Sequence, residues 1–151
     1  MILRNAGAAT LALAIIILAG VTKLSGADEI EVRQLDRIVK NNPLVSGGPT
    51  TSIIESIRAG GAELGVLVMS ENKFHHHSHQ DHVLYVARGN GIAKLEDATG
   101  HVATRPIKPG DILSLPRGKK HGFEKSGNDD LVFLVVATPP QPGVEETTYH
   151  E

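Results

Sequence analysis

The sequence predicts an all-β domain, a sandwich or barrel, preceded by a short N-terminal helix. From Thr50 onward, short runs rich in β-branched and apolar residues alternate with turn residues such as Gly60-Gly61 and Gly89-Asn90-Gly91. Almost no helical periodicity lies between these runs, which argues against a βαβ fold and favours a sandwich or barrel. The eight predicted strands are Thr51–Ile57, Glu63–Ser70, His82–Arg88, Ile92–Glu96, Val102–Ile107, Ile112–Leu115, His121–Glu124 and Leu131–Ala137.

Residues 1–27 have the pattern of an export signal. Met1–Arg4 is short and positive, Leu11–Val21 is strongly apolar, and Ser25-Gly26-Ala27 provides small residues for cleavage. We therefore expect residues 1–27 to be a signal peptide and the mature protein to be periplasmic or extracellular, without membrane attachment after cleavage. The alternative is an uncleaved membrane anchor, because the uncharged stretch Asn5–Thr22 reaches the lower limit for spanning a bilayer.

Residues 28–49 are predicted to form an N-terminal helix and a loop. The helix is expected over Asp28–Lys40, with Asp28 as its cap and with one apolar face made by Val32, Leu35 and Val39. The segment Asn41-Asn42-Pro43 ends it. The barrel is predicted to span residues 50–138. Residues 139–151 form a Pro-rich, acidic C-terminal tail, expected to be an exposed strap or a disordered end.

The composition excludes several classes of function. The chain has no cysteine, so it has neither a disulfide nor a thiolate ligand. Its formal net charge is −2, which disfavours nucleic acid as a partner. The sequence has no phosphate-binding loop and no nucleophile elbow.

Two separated segments carry histidines at metal-ligand spacing. Phe74–Val86 holds five of the eight histidines in the chain and leads into a predicted strand. Because side chains alternate along a strand, His75 and His77 point to one side and His76 to the other. The distant segment Gly110–His121 supplies a further histidine. Such elements can close around one ion inside a β-barrel, although the cluster taken alone also fits an exposed metal-scavenging loop.

These segments resemble the two motifs of the cupin superfamily. In the first, His75-x-His77 is followed by four residues, His82, six residues and Gly89. In the second, Gly110 is followed by Pro116-x-Gly118, His121 and Lys125. The resemblance covers Thr51 to about Ala137 and implies a cupin-type double-stranded β-helix, a jelly-roll barrel. It further implies one divalent transition metal ion as cofactor, with a ligand set of His75, His77, His82 and His121.

The most important departure from the motif is His82, which stands where cupins have a glutamate. Met69 and Lys125 replace a glycine and an asparagine of the motifs, with little consequence for the fold. With His82 in place, the implied site is four imidazoles and no carboxylate. Neutral ligands leave the ion its full double charge, which favours anionic ligands, and nitrogen donors favour iron, copper, nickel or zinc over manganese or magnesium.

The remaining polar residues near the motifs are assigned minor roles. Asp81 is predicted to face away from the site, because residues His82, Leu84 and Val86 share the inner face of their strand. His76 and His79 are expected to face solvent or to support the ligands. His101 and His150 are expected at the surface. No general base is evident, and the only candidates are Tyr85, Glu124 and Lys125.

Two functions follow from this pattern. The leading one is an exported metal-binding cupin that acts as a metal-dependent, oxygenase-type enzyme on a small, anionic molecule, as the resemblance to histidine-rich cupin dioxygenases implies. The alternative is a non-catalytic protein that binds a transition metal or a small ligand, because four nitrogens can complete a tetrahedral site. The expected partners are a small-molecule ligand and a second copy of the chain, paired through the strand Thr51–Ile57.

Overall fold

Strands make up most of the chain that the structure describes. The computed structural model describes residues 30–140 and 147–151, so the predicted signal peptide and the tail segment 141–146 lie outside the described residues. Helix α1 spans Leu35–Asn41. The strands in these ranges are β1 Thr51–Ala59, β2 Ala62–Met69, β3 His75–His77, β4 Asp81–Arg88, β5 Gly91–Glu96, β6 Val102–Ile107, β7 Ile112–Leu115, β8 His121–Lys125, β9 Leu131–Thr138 and β10 Thr147–Tyr149.

The strands form two five-stranded antiparallel sheets. One sheet has the order β1-β2-β9-β4-β7 and the other has the order β10-β3-β8-β5-β6. Neighbours in each sheet are mostly distant in sequence, as in β2 with β9 and β3 with β8. This arrangement is the cupin-type double-stranded β-helix that the motifs implied, and it confirms the predicted fold class.

The core lies between the sheets and follows the period-two pattern of the strands. On β9, the alternate residues Leu131 and Phe133 are fully buried and face inward. The Phe133 ring packs against Phe123 of β8, in the opposite sheet, with ring centroids 5.1 Å apart. Leu84 and Val86 of β4 belong to the same core, as their spacing predicted.

A second apolar cluster lies on the outer face of the first sheet, under helix α1. Leu35, Ile38 and Val39 of the helix pack against a cluster whose buried members are Val66, Val68 and Val132. The helix therefore gives the outer face of β2 and β9 an apolar cover that the sheet alone does not have.

The predicted helix over Asp28–Lys40 is longer than the observed one. Among the described residues the helix begins at Leu35, and Val32 is 89% exposed instead of packed on the sheet. Arg33 pairs with Glu31 and, across 22 residues of sequence, with Glu55 of β1. Arg33 thus joins the segment before the helix to β1. None of the helices in the described ranges has the length and hydrophobicity needed to cross a membrane.

The strands confirm the eight predicted runs to within one or two residues at each end, and add two short strands. β3 coincides with the histidine pair itself, and β10 is formed by part of the tail. β10 pairs antiparallel with β3, so that Thr147 lies opposite His77 and Tyr149 opposite His75. The last residues of the chain are thus part of the second sheet.

Close backbone packing requires two glycines where β4 turns into β5, Gly89 of the first motif and Gly91. Gly89 has a φ of 75°, and a Cβ there would overlap the carbonyl oxygen of Asp130. A Cβ at Gly91 would lie 2.6 Å from the carbonyl oxygen of Glu124. These glycines therefore let β4 turn into β5 against the neighbouring strands.

Candidate metal centre

Three histidines from two neighbouring strands converge at one point inside the barrel. His75 and His77 lie on the same face of β3, and His121, the first residue of β8, is the register partner of His75. All three are buried, and one ring nitrogen from each lies within 4.8 Å of the others. The ring centroids of His75 and His121 are 4.4 Å apart. We call these three residues the histidine triad.

Backbone carbonyls hold two of the triad rings in a defined tautomer. Nδ1 of His75 lies 2.6 Å from the carbonyl oxygen of Lys73, and Nδ1 of His121 lies 3.0 Å from that of Lys119. A carbonyl oxygen only accepts hydrogen bonds, so Nδ1 must carry the proton in both rings. Their lone pairs are therefore on Nε2, the nitrogen that can bind an ion.

The electrostatics of the triad favour the neutral, metal-binding form of His121. Burial lowers its pKa to about 3, and the neighbouring His75 ring contributes to the same direction. The ring therefore remains unprotonated at neutral pH and does not have to lose a proton to bind a metal. No carboxylate belongs to this group of ligand atoms in the described part of the chain.

His82 lies beside the triad but outside the group of mutually close ligand atoms. It is on the inner face of β4, in the opposite sheet, and its ring centroid is 4.3 Å from that of His77. Its Nε2 lies 3.3 Å from Oε1 of Gln80. The structure therefore brings His75, His77 and His121 together and places His82 next to them. Its role as a fourth ligand stays a prediction.

A cavity of about 560 Å³ lies between the two sheets and is lined by the triad and His82. Its walls are largely apolar, with Leu67, Leu84 and Val135 from the first sheet. The edge strands β1 and β10 also contribute, through Ile53 and Tyr149. A cavity of this volume and lining is suited to a small molecule that reaches the triad.

The strand register places Asp81 away from the cavity, as predicted. Asp81 is opposite Thr138, and its carboxylate lies 2.6 Å from the Arg117 guanidinium. The hydrogen bonds from Arg117 lower the pKa of Asp81 to about 2. The carboxylate is thus committed to an outward-facing ion pair, and a register slip that would exchange it for His82 is absent.

The three candidate bases do not line the cavity. Tyr85 is on the outer face of β4, Glu124 is exposed, and the Lys125 ammonium lies 2.7 Å from the Asp130 carboxylate. His79 and His101 are exposed as expected. His150 differs from the expected surface residue, because its Nε2 lies 2.8 Å from Nδ1 of His76 and its ring stacks on that ring.

Residues from distant strands, outside the two histidine motifs, complete the cavity. Glu63 lines it and accepts hydrogen bonds from Ser56 and Arg58. Gln80 and Thr147 line it next to His82 and His77. For Glu63 a signal existed, because the alternate residues Glu63, Gly65, Leu67 and Met69 of β2 all face the cavity.

The comparison with known proteins agrees with this geometry. Residues 66–137 match the family of the cupin domain. This stretch is similar to the cupin domain, and the fold of the described residues is of the cupin type. Both sheets of the cupin barrel contribute strands to this matched stretch, which includes the histidine triad.

The chain is similar to parts of longer curated proteins. Acireductone dioxygenase of Bacillus cereus is 31% identical over 81 residues, which are 54% of this chain and 47% of that protein. Germin-like protein 8-14 of Oryza sativa subsp. japonica is 28% identical over 97 residues, 64% of this chain and 46% of that protein. The chain therefore spans about half the length of the curated relatives it matches.

Solved structures share the cupin fold at low sequence identity. A double-stranded β-helix protein from Klebsiella pneumoniae has a TM-score of 0.61 and 21% identity, covering 82% of this chain and 99% of that chain. Bacillus subtilis oxalate decarboxylase, described with Mn(II) centers, has a TM-score of 0.51 and 18% identity, covering 59% and 24%. At these identities the likeness extends to the fold alone.

Proposed function

We propose that this chain is an exported metal-binding cupin whose ion supports an oxygenase-type reaction on a small, anionic molecule. The observation that carries the proposal is the convergence of three buried histidine nitrogens on the wall of a cavity. Relatives named acireductone dioxygenase support the oxygenase class.

The chemistry of the donors fits one divalent transition metal ion. The triad offers neutral imidazole nitrogens as ligands. In His75 and His121 the available lone pair is on Nε2, because Nδ1 donates to a backbone carbonyl. Nitrogen donors suit iron, copper, nickel and zinc, whereas manganese favours oxygen ligands. When bound, the ion would supply Lewis acidity or, for a redox metal, activation of dioxygen.

The polar groups of the cavity support an anionic ligand. The Lys73 side chain is exposed and lines the cavity two residues before His75. The Asn72 side-chain oxygen accepts the backbone N–H of Phe123, so its amide N–H groups point elsewhere and can donate. Among the lining residues in the described ranges, Glu63 is the only one with a carboxylate, and Arg58 pairs with it. The hydrogen-bond donors Lys73 and Asn72, beside a carboxylate already paired with Arg58, favour a ligand rich in hydrogen-bond acceptors.

The apolar wall contributes by excluding water. Leu84, Leu115 and Phe123 are buried next to the triad and line the cavity. A largely apolar enclosure strengthens the electrostatic interactions of a ligand held there and limits competition from water.

A second candidate is a non-catalytic metal-binding or small-ligand-binding protein. The ring of His82, 4.3 Å from that of His77, favours this alternative because a fourth nitrogen would complete a tetrahedral ion. The two candidates differ in whether a coordination position stays open. Azide or a small carboxylate added to the iron- or copper-loaded protein changes its absorption spectrum if a position is open. An unchanged spectrum favours the closed site.

The first test is the metal content of the His121→Ala variant. Purified wild-type protein is expected to hold about one ion per chain by elemental analysis, and the variant less than about 0.1, because the site loses a ligand. The β-sheet circular dichroism should be unchanged. His101→Ala, which removes an exposed histidine away from the cavity, is the matched control. Wild-type metal content in His121→Ala would overturn the site.

Export and homodimerisation belong to the same proposal. β1 lies at an edge of its sheet, which makes it a surface suited to pairing with a second copy of the chain. Fractionation of the expressing cell and light scattering of the mature protein test these two points separately from metal binding. A protein retained in the cytosol, or a monomer at micromolar concentration, would refute the corresponding point.

A further inference from the structure

Gln80 is a buried polar residue that forms hydrogen bonds with the Pro139 carbonyl and with the His82 ring. It lies in the loop between β3 and β4, is 4% exposed and lines the cavity. Its Nε2 lies 2.9 Å from the carbonyl oxygen of Pro139, just after β9. Its Oε1 lies 3.3 Å from Nε2 of His82. The side chain thus links the fourth histidine to the end of β9.

These two bonds determine which His82 nitrogen carries a proton. The Pro139 carbonyl oxygen can only accept, so the amide N–H of Gln80 must face it and Oε1 must face His82. Oε1 is also only an acceptor, so the proton must be on Nε2 of His82. In a neutral imidazole the lone pair is then on Nδ1.

His82 therefore differs from the triad in the nitrogen that it can offer to an ion. His75 and His121 donate from Nδ1 to carbonyl oxygens and carry the lone pair on Nε2. The arrangement at His82 is reversed, with a side-chain amide in place of the backbone carbonyl. To bind through Nε2, His82 would have to break its bond to Gln80 and leave a buried amide oxygen without that partner, which is costly.

We propose that Gln80 is a positioning residue that fixes the Nε2-protonated tautomer and the ring orientation of His82, so that His82 binds the metal through Nδ1 while His75 and His121 bind through Nε2. The part of this inference that concerns the ion rests on the proposed function. The part that concerns the tautomer applies to the metal-free protein as well.

Nitrogen NMR of histidine-labelled, metal-free protein tests the tautomer. His82 is expected to show a protonated Nε2 and an unprotonated Nδ1, the opposite of His75 and His121, with its signal assigned by its absence in His82→Gln. Gln80→Leu removes the acceptor and should give a mixture of tautomers. A protonated Nδ1 at His82, or an unchanged signal in Gln80→Leu, would overturn the proposal.

Addition of Zn²⁺ tests the ligand atom. Zinc should shift the Nδ1 resonance of His82 and the Nε2 resonances of the other two rings. Gln80→Leu should weaken zinc affinity by about 10- to 100-fold, as is typical when a group that orients a metal-binding histidine is lost. Gln34→Leu, which changes an exposed glutamine of the same type, should bind zinc as the wild type does.

The outcomes separate this inference from the proposed function. If zinc shifts the triad resonances but not the Nδ1 resonance of His82, the proposed ligand atom is wrong and the metal site itself is unaffected. A wild-type protein that binds no zinc, iron, copper or nickel would overturn the proposed function and the ligand-atom assignment together, whereas the tautomer is decided by the metal-free spectra.

Discussion

His82 is the residue at which this chain differs most from the cupin motif. It lies on the inner face of β4, opposite Ala137 of β9 and Leu115 of β7. The backbone of the first sheet therefore presents residue 82 to the triad in the way that a glutamate would be presented. Relative to the motif, His82 differs in charge and in donor atom, and it keeps the inward-facing backbone position of residue 82.

We predict that His82→Glu keeps metal binding and shifts the preference toward manganese or iron. A carboxylate supplies an oxygen donor and one negative charge, which suit harder ions. Protein equilibrated with equimolar manganese and zinc, then analysed for both, should show a manganese-to-zinc ratio about 10-fold higher than the wild type. His79→Glu, at an exposed neighbouring position, should leave the ratio unchanged. Loss of all binding in His82→Glu would contradict a ligand position at residue 82.

At the scale of single elements, the hairpin between β5 and β6 depends on Asp97. Its Oδ1 accepts hydrogen bonds from the backbone N–H of Thr99 and of His101, and from the Thr99 hydroxyl. These bonds add to the backbone bonds of the turn, in which the Asp97 N–H donates to the His101 carbonyl and the Gly100 N–H to the Asp97 carbonyl. Hydrogen bonds from Thr99, first from its side chain and then from its backbone, lower the pKa of Asp97.

We predict that Asp97→Asn reduces the acid sensitivity of the fold. Because the folded-state pKa lies below the unfolded value, the ionised carboxylate stabilises the fold above the ordinary aspartate range. That stability is lost as the pH falls through this range and below it. Asparagine keeps an acceptor oxygen but does not titrate. Urea denaturation from pH 7 to pH 2 should show a flatter loss of stability in Asp97→Asn than in the wild type or in Asp129→Asn. An identical pH profile would contradict the role of Asp97.

The C-terminal strand β10 supports the strand that carries two triad residues. The backbone N–H of His150 donates to the carbonyl oxygen of Phe74, which makes these two residues a hydrogen-bonded pair. Bonded pairs alternate along an antiparallel ladder, so Thr148 and His76 form the next one. The Thr147 hydroxyl also lies 3.5 Å from Nδ1 of His77. β10 thus helps to fix β3 at the cavity wall.

We predict that Thr148→Pro loosens β3 and weakens metal binding. Proline removes the N–H that pairs with His76, so the His76 amide should exchange faster with deuterium and zinc affinity should fall on the order of 10-fold. Thr148→Ala keeps the N–H and should behave as the wild type in both measurements. Equal zinc affinity in the proline and alanine variants would show that β10 does not support the site.

At the scale of the whole molecule, the contact between Phe123 and Phe133 joins the two sheets. The rings belong to β8 and β9, and both are buried in one core cluster with Met69, Leu84 and Leu131. His121 lies two residues before Phe123 on the same face of β8. The packing that stabilises the barrel is therefore continuous with the packing behind the triad.

We predict that Phe133→Ala costs about 3–5 kcal/mol of unfolding free energy, because it leaves a cavity in a fully buried position. Urea denaturation of the mature domain measures the change. Ile112→Ala, at a residue that is 71% exposed, should change stability by less than about 0.5 kcal/mol. A loss below about 1 kcal/mol in Phe133→Ala would show that the sheets are held together elsewhere.

The sequence by itself determined the features that depend on local pattern. Period-two alternation and turn glycines predicted the eight long strands, and the same alternation placed Asp81 outside and His82 inside. Spacing within β3 put His75 and His77 on one face, and the second cupin motif indicated His121. These are properties of a few neighbouring residues, so they can be read without knowing which strands meet.

Only the tertiary structure decided the contacts between residues far apart in sequence. It paired β10 with β3, linked Gln80 to Pro139 across 59 residues, placed Glu63 on the cavity wall and paired Arg33, just before the helix, with Glu55 of β1. No local pattern encodes such pairs, because they depend on how the two sheets close around one core. The hydrogen bond that orients the His82 ring is decided at this level, because Gln80 is itself held by the Pro139 carbonyl just after β9.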